Sequence, residues 1–147
     1  MRRCSVCRGF SLPELLLVLV ILGGLTTIAL PPVRTLLDGI AVENGARQIQ
    51  AAHFRARMHA VAFGQVTLLD LGADTIRIRS VSGTDTTLTW QSAGPAADGL
   101  TLSGPAHPLI YSPLGLTMGL SNGTWHLTYG AASRDVIVSR LGRLRIR

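Results

Sequence analysis

Lysine is absent from these 147 residues, so all fourteen basic side chains are arginine. Arginine suits planar contacts to carboxylate or phosphate, although an all-arginine usage also fits a GC-rich genome. Cysteine is confined to Cys4 and Cys7. That C-x-x-C pair has no second Cys/His pair at zinc spacing and stands within the first nine residues, ahead of a long apolar run, which argues against a redox or zinc site. Beyond residue 9 there is no cysteine, so the remainder must hold together by packing rather than by disulfides. The chain also lacks a G-x-S-x-G elbow, an H-E-x-x-H pair and a Gly-rich phosphate loop. Asp70, Asp74, Asp85, Asp98 and Asp135 read as solvated residues in or beside turns, and no histidine pairs with another at helical spacing. The expectation is therefore a protein without catalytic residues, metal or cofactor.

No acidic residue precedes Glu14, whereas Arg2, Arg3 and Arg8 do. By the positive-inside rule this leaves the first nine residues in the cytoplasm and sends the remainder outward. From Phe10 to Leu30 the only charge is Glu14, and at about 1.5 Å per residue the segment is long enough to cross a hydrocarbon core of roughly 30 Å. An ionised group in such a segment costs roughly 2.5 to 3.5 kcal/mol, which makes Glu14 a functional candidate in need of a counter-charge. No A-x-A pattern follows the run, as a secretory signal would require. The small residue, Gly9, stands before it instead.

Pro31-Pro32 interrupts the run and predicts a kink rather than an end. Helical periodicity then resumes through Val33, Leu36, Leu37 and Ile40, and through Ile49, Ala52, Ala56, Ala60 and Phe63. From Gly64 the period changes to two. Strands are expected at Val66 to Leu71, Thr75 to Val81, Thr86 to Gln91, Leu100 to Ser103, Leu109 to Tyr111, Thr124 to Tyr129 and Val136 to Val138. Asn122-Gly123 reads as a tight turn, and Gly130 to Arg134 as another. The fold class expected is α+β: a long kinked N-terminal helix, with a membrane span at 10–30 and an amphipathic part at 31–63, packed on an antiparallel β-domain at 64–147.

Gly9, Phe10, Ser11, Leu12 and Glu14 match every specified position of G-F-[ST]-L-x-E, and the segment resembles the type IV prepilin leader. Pro13 departs from the usual aliphatic residue, but proline is tolerated in a helix's first turn. The resemblance implies removal of residues 1–9 by a prepilin peptidase cutting between Gly9 and Phe10, and N-methylation of Phe10 by the same peptidase/N-methyltransferase. It also implies pairing of Glu14 with the amino terminus of a neighbouring subunit in a filament. Removal of the three leader arginines would leave eleven arginines against eight acids.

The far end carries a second resemblance. Ile110-Tyr111-Ser112-Pro113-Leu114-Gly115, then Val136-Ile137-Val138-Ser139, then Gly142-Arg143-Leu144-Arg145 are similar to the I-x-[FY]-x-P-x-G, V-x-V-S and G-R-[VL]-R segments of the GspH/FimT family of minor pseudopilins and minor pilins. That resemblance implies a pilin-like fold. It implies a minor pseudopilin of a type II secretion system, held in the inner membrane of a Gram-negative bacterium with its C-terminal domain in the periplasm. Its partners would be the other pseudopilins of the filament and an inner-membrane assembly platform. The alternative is a FimT-like minor pilin that binds extracellular DNA for uptake. Arg143, Arg145 and Arg147 would lie on one face of an extended strand, where phosphates fit, though charge on a terminal edge strand also guards against aggregation.

Overall fold

The computed structural model describes residues 10–119 and 121–147, and of residues 27–32 the backbone alone. The chain divides into two compact units between Arg34 and Thr35. Helix α1 runs over Leu12–Phe63 and is helical through Pro31-Pro32, which therefore do not end it. Among the described residues no helix is long and apolar enough to cross a membrane. The expected span at 10–30 has its side chains described only as far as Thr26, a length of about 22 Å from Leu12 at 1.5 Å per residue, against a bilayer core of roughly 30 Å. The leader, with Gly9, Cys4 and Cys7, lies outside the described residues.

In the second unit, eight strands form two four-stranded antiparallel sheets. The first has the order β3-β2-β1-β5, from β1 (Val66–Leu71), β2 (Thr75–Ser82), β3 (Asp85–Ala93) and β5 (Leu109–Tyr111). The second has the order β4-β6-β7-β8, from β4 (Thr101–Ser103), β6 (Gly123–Tyr129), β7 (Ala132–Val138) and β8 (Leu144–Ile146). The expected strands are all present, the extended tail forms β8, and a 3-10 turn at Pro95–Asp98 is added. Two expectations about the last hairpin are corrected. Gly123 does not turn the chain but opens β6 and pairs with Val138. The reversal is made by Gly130-Ala131 alone, so β7 starts at Ala132 rather than at Val136. Gly130 has φ of 54° and no other residue type in the chain's described part has positive φ, a pattern that fits a two-residue type II′ turn.

The helix face that enters the core is set by size as much as by hydrophobicity. Val42, Ala46, Ile49, Ala52, His53, Ala56 and Ala60 are buried at spacings of three and four. Val33, Leu36, Leu37, Ile40 and Phe63, expected on the apolar face, are exposed. Their side chains are large, whereas the buried stripe is dominated by alanine, which lets strands approach closely. At Gly45 even a methyl group would stand 2.7 Å from Leu100 Cδ2 and 3.1 Å from Leu127 Cδ2. The facing side chains are Leu69, Ile76, Ile78, Leu109 and Tyr111 from the first sheet and Trp125, Leu127, Val136 and Val138 from the second.

Polar contacts fix the docking angle. Gln48 Nε2 donates to the Ala93 carbonyl at 2.8 Å, and the Arg55 guanidinium lies 4.6 Å from the centre of a Trp90 ring. Together they fasten edge strand β3 to the helix. On the second sheet, Ala131 N donates to Asp38 Oδ2 at 3.5 Å, and Arg134 reaches Glu43 at 3.5 Å.

If the small side chains of the stripe set the sheet-to-helix distance, Ala56→Leu should lower stability by about 1–3 kcal/mol through overpacking. Ala51→Leu, five residues earlier on the exposed face, should change it by less than about 0.5 kcal/mol. Urea unfolding of the detergent-solubilised chain, followed by near-ultraviolet circular dichroism, measures both.

Candidate functional site

The described residues offer two sets of candidates, one in each unit. In the first, Ser11 occupies the position before α1 and its backbone N–H points at Glu14 Oε2 across 3.5 Å, while Glu14 N donates to the Ser11 carbonyl at 3.1 Å. This is the reaching-back half of a capping box, available because serine and glutamate stand three residues apart. The carboxylate also lies in the first turn, where the helix dipole favours a negative charge. Glu14 is exposed and has no cationic partner among the described residues, and Phe10 is 78% exposed. Gly9, the third member of the expected processing site, is outside the description.

In the second unit, β8 pairs with β7 so that Leu144 and Ile146 lie beside the buried Val138 and Val136, and Arg145 lies opposite Ile137 on the outer face. Arg143 and Arg147 flank the strand and are exposed. The three expected guanidiniums thus share the outward face. Arg147 is also the hydrogen-bonded strand partner of Asp135, so its surroundings are less cationic than those of Arg143. The Ser139–Arg143 turn, closed by Ser139 N to the Arg143 carbonyl at 2.9 Å, brings Arg140 alongside. An open cleft of about 750 Å³ runs past Ser139, Arg140, Leu141, Arg143, Leu144 and Arg145.

Several polar pairs escape a reading of the sequence. His53 Nδ1 and the Tyr111 hydroxyl are 2.6 Å apart in the core. Burial pushes the His53 pKa down to about 4; the Gly142 backbone offsets part of this and the nearby Arg57 guanidinium adds to the depression. Gly142 does not reach hydrogen-bonding geometry with His53 Nε2, which is left without a partner. Burial likewise pushes the Tyr111 hydroxyl well above the ordinary phenol range, with Arg57 opposing it. His53 is therefore neutral at neutral pH and closed to solvent, which suits a structural hydrogen bond rather than proton transfer to a ligand. Its spacing, four residues after Ile49 and three before Ala56, was the available signal that it faces inward.

The reading of the acids as solvated turn residues is corrected at two places. Asp70 lies within β1 and holds Arg79 of β2 at 2.7 Å, and Asp135 lies within β7 and holds His126 of β6 at 2.6 Å. Both are cross-strand pairs created by register. Among the described residues no three His, Cys, Asp or Glu side chains are grouped to hold a metal ion.

The helix-on-two-sheets arrangement is that of the pilin-like proteins. The minor pilin FimU of Pseudomonas aeruginosa superimposes with a TM-score of 0.60 at 16% identity, over 72% of this chain and 87% of that one. The minor pseudopilin EpsH of the type 2 secretion system of Vibrio cholerae superimposes with a TM-score of 0.57 at 15% identity, over 72% and 95%. In sequence, the chain is 31% identical to the pilin-like protein PilA1 of Thermus thermophilus, over 95% of this chain and 97% of that one. Residues 45–142 match the family described as type II transport protein GspH, and the chain belongs to that family. It is thus a pilin-like protein of the type II secretion or type IV pilus class.

The depressed His53 pKa carries a sign. The unfolded chain takes up the proton near pH 6.5 and the folded chain only near pH 4. Stability should therefore be full above pH 6.5 and fall as pH drops through that window, by at most about 3 kcal/mol. Urea midpoints at pH 7.5 and pH 4 measure it, and His53→Gln, which keeps an acceptor for Tyr111, should flatten that part of the profile.

Proposed function

We propose that this chain is a minor pseudopilin of a type II secretion system. The prepilin peptidase cuts between Gly9 and Phe10 and methylates Phe10, and residues 10–30 hold the mature chain in the inner membrane with its β-domain in the periplasm. The subunit is taken up by the assembly platform and joins a short filament with other pseudopilins, where Glu14 meets the amino terminus of a neighbour. It performs no catalysis; its mechanism is polymerisation. The observation that carries this reading is the conjunction, in one chain, of the Gly9 to Glu14 leader pattern with the GspH family match at residues 45–142. An exposed Glu14 with a backbone partner alone supports it, because the carboxylate is free to take a counter-charge from another molecule.

The second reading, a FimT-like minor pilin for DNA uptake, is favoured by one feature: the outward row of Arg143, Arg145 and Arg147 along β8. Phosphate contacts there would be sequence-independent and salt-dependent.

Under the first reading, Glu14→Ala should abolish incorporation into sheared filaments and secretion of the system's substrates while the protein still accumulates in the membrane. Mass spectrometry of the purified protein should find methylated Phe10 at the amino terminus; retention of Arg2 and Arg3, or normal secretion by Glu14→Ala, would refute it. Under the second, duplex DNA should bind with a steep salt dependence, and Arg143→Ala with Arg145→Ala should reduce the slope of log K against log salt by about 2.

A further inference from the structure

Where the helix crosses the second unit it is apolar on two sides. The side chains of its buried stripe are mostly small, and on the side away from the sheets stand Phe54, Met58 and Val61, spaced by four and three residues so that they share one face. All three are exposed, Met58 to 63%. The face continues onto the loop after β5, because a methyl group on Gly115 would stand 2.9 Å from Val61 Cγ2 and 3.2 Å from Arg57 Nε. That loop is folded tightly. Ser112 N donates to the Leu116 carbonyl and Gly115 N to the Ser112 carbonyl, each at 2.8 Å, and Gly115 closes the turn with a left-handed φ of 74°. Leu114 is thereby carried outward to 81% exposure. From the loop the surface passes to the β7–β8 turn, where Thr117 Oγ1 donates to the Arg140 carbonyl and a methyl group on Gly142 would stand 3.5 Å from Thr117 Cγ2. Leu141 is exposed there.

Charge on this surface has one sign. Residues 51–63 of the helix, 112–118 of the loop and 139–143 of the turn include Arg55, Arg57, Arg140 and Arg143 and no aspartate or glutamate. Arg55 lies over Trp90, whereas Arg57, Arg140 and Arg143 have no acidic partner among the described residues. The open cleft of about 750 Å³ repeats the mixture, with Arg140, Arg143 and Arg145 beside Leu141 and Leu144. Contiguous exposed apolar side chains mark interaction sites, and phenylalanine, methionine and arginine in the absence of acids and lysine is the composition that concentrates in the cores of protein interfaces. The surface is also held in place before any partner arrives. Its helix is seated by Ala56 and Ala60 on the opposite side and its loop is closed by its own hydrogen bonds, so little ordering remains to be done on binding.

We propose that this surface receives a different subunit of the filament, through a face of that subunit on which carboxylates flank exposed apolar side chains. Phe54, Met58, Val61 and Leu114 form the apolar centre. The partner's carboxylates meet Arg57 at one rim and Arg140 and Arg143 at the cleft, where a planar guanidinium can hold a carboxylate by two parallel hydrogen bonds. A second copy of this chain does not fit. Meeting through the same surface it would set arginine against arginine, and meeting through any other it would build an open chain of identical subunits, which a minor component does not form. Nucleic acid covers the surface poorly, since phosphates would satisfy the arginines and leave four large apolar side chains in water. The proposal rests on the filament reading above and names the chemistry of the neighbour that the β-domain requires.

Photo-cross-linking of the full chain in its own host tests it, with p-benzoylphenylalanine placed at Met58 or Leu114. The expected result is a heteromeric adduct several-fold above the yield from the same probe at Ser133, an exposed position on β7. Its cross-linked peptide, read by mass spectrometry, should belong to a protein recovered in sheared filaments and carry aspartate or glutamate beside apolar residues. Arg140→Glu with Arg143→Glu should reduce the adduct several-fold, and arginine in place of the partner's carboxylates should restore it, an outcome that misfolding cannot produce. Met58→Asp should lower recovery of the chain in sheared filaments several-fold with its membrane level and circular dichroism unchanged. A yield equal to the Ser133 control, an adduct with a second copy alone, or an adduct indifferent to the arginine reversals overturns the proposal. So does control-level cross-linking together with duplex DNA binding that depends on Arg140 and Arg143 and tolerates Leu114→Asp. Glu14→Ala separates this claim from the one beneath it. The heteromeric adduct in a chain that assembles normally as Glu14→Ala supports the surface and refutes the helix-based filament reading, and Glu14-dependent assembly with control-level adducts refutes the surface alone.

Discussion

The helix face between Val42 and Ala60 is made largely of alanine, and two β-sheets lie against it at a distance that larger side chains would not allow. That close approach governs the rest of the second unit. It brings Leu100, just before β4, and Leu127 of β6 to Gly45, fixes Ala93 within reach of Gln48, and sets Tyr111 beside His53, the one ionisable residue admitted to the stripe. A buried imidazole is tolerated because it is neutral and because one of its nitrogens is bonded to a phenol that burial also keeps neutral. The loops that join the strands are then left at the two ends of the first sheet, where their chemistry is directed outward.

Charge follows the same geometry. Within the sheets, acids and bases meet across strands, Asp70 with Arg79 and Asp135 with His126, and Glu43 of the helix holds both Arg47 one turn further along it and Arg134 of β7. Beyond the sheets, Arg140 and Arg143 stand in the β7–β8 turn beside the exposed Leu141 with no acidic partner among the described residues.

The strand pattern was readable residue by residue, because the alternation in Thr75 to Val81 or Thr124 to Tyr129 registers directly which residues enter a sheet, since successive side chains of a strand point to opposite faces. The helix was legible in extent and less so in orientation. Of its periodic apolar positions, Ile49, Ala52, Ala56 and Ala60 are buried as their spacing suggested, whereas Val33, Leu36, Leu37, Ile40 and Phe63 are exposed, because the closeness of a sheet to a helix is a property of the pair and not of either sequence segment. The Asn122-Gly123 signal failed for a similar reason: a dipeptide with good turn propensity was drawn into β6 by pairing with Val138, and the reversal passed to Gly130, where Asp38 of the helix receives it.

The sequence by itself determined the membership of this chain in a filament-forming family, the length of its helix, the positions of its strands and the placing of Arg143, Arg145 and Arg147 on one side of an extended tail. These depend on local spacing and on contiguous motifs, which a linear chain records. Tertiary structure decided that the large apolar residues of the helix before Val42 face outward, that His53 meets Tyr111, and that Asp70 and Asp135 stand within strands and pair across them. Each of those depends on register or on the distance between segments far apart in the chain, and such distances are fixed only when the sheets close onto the helix.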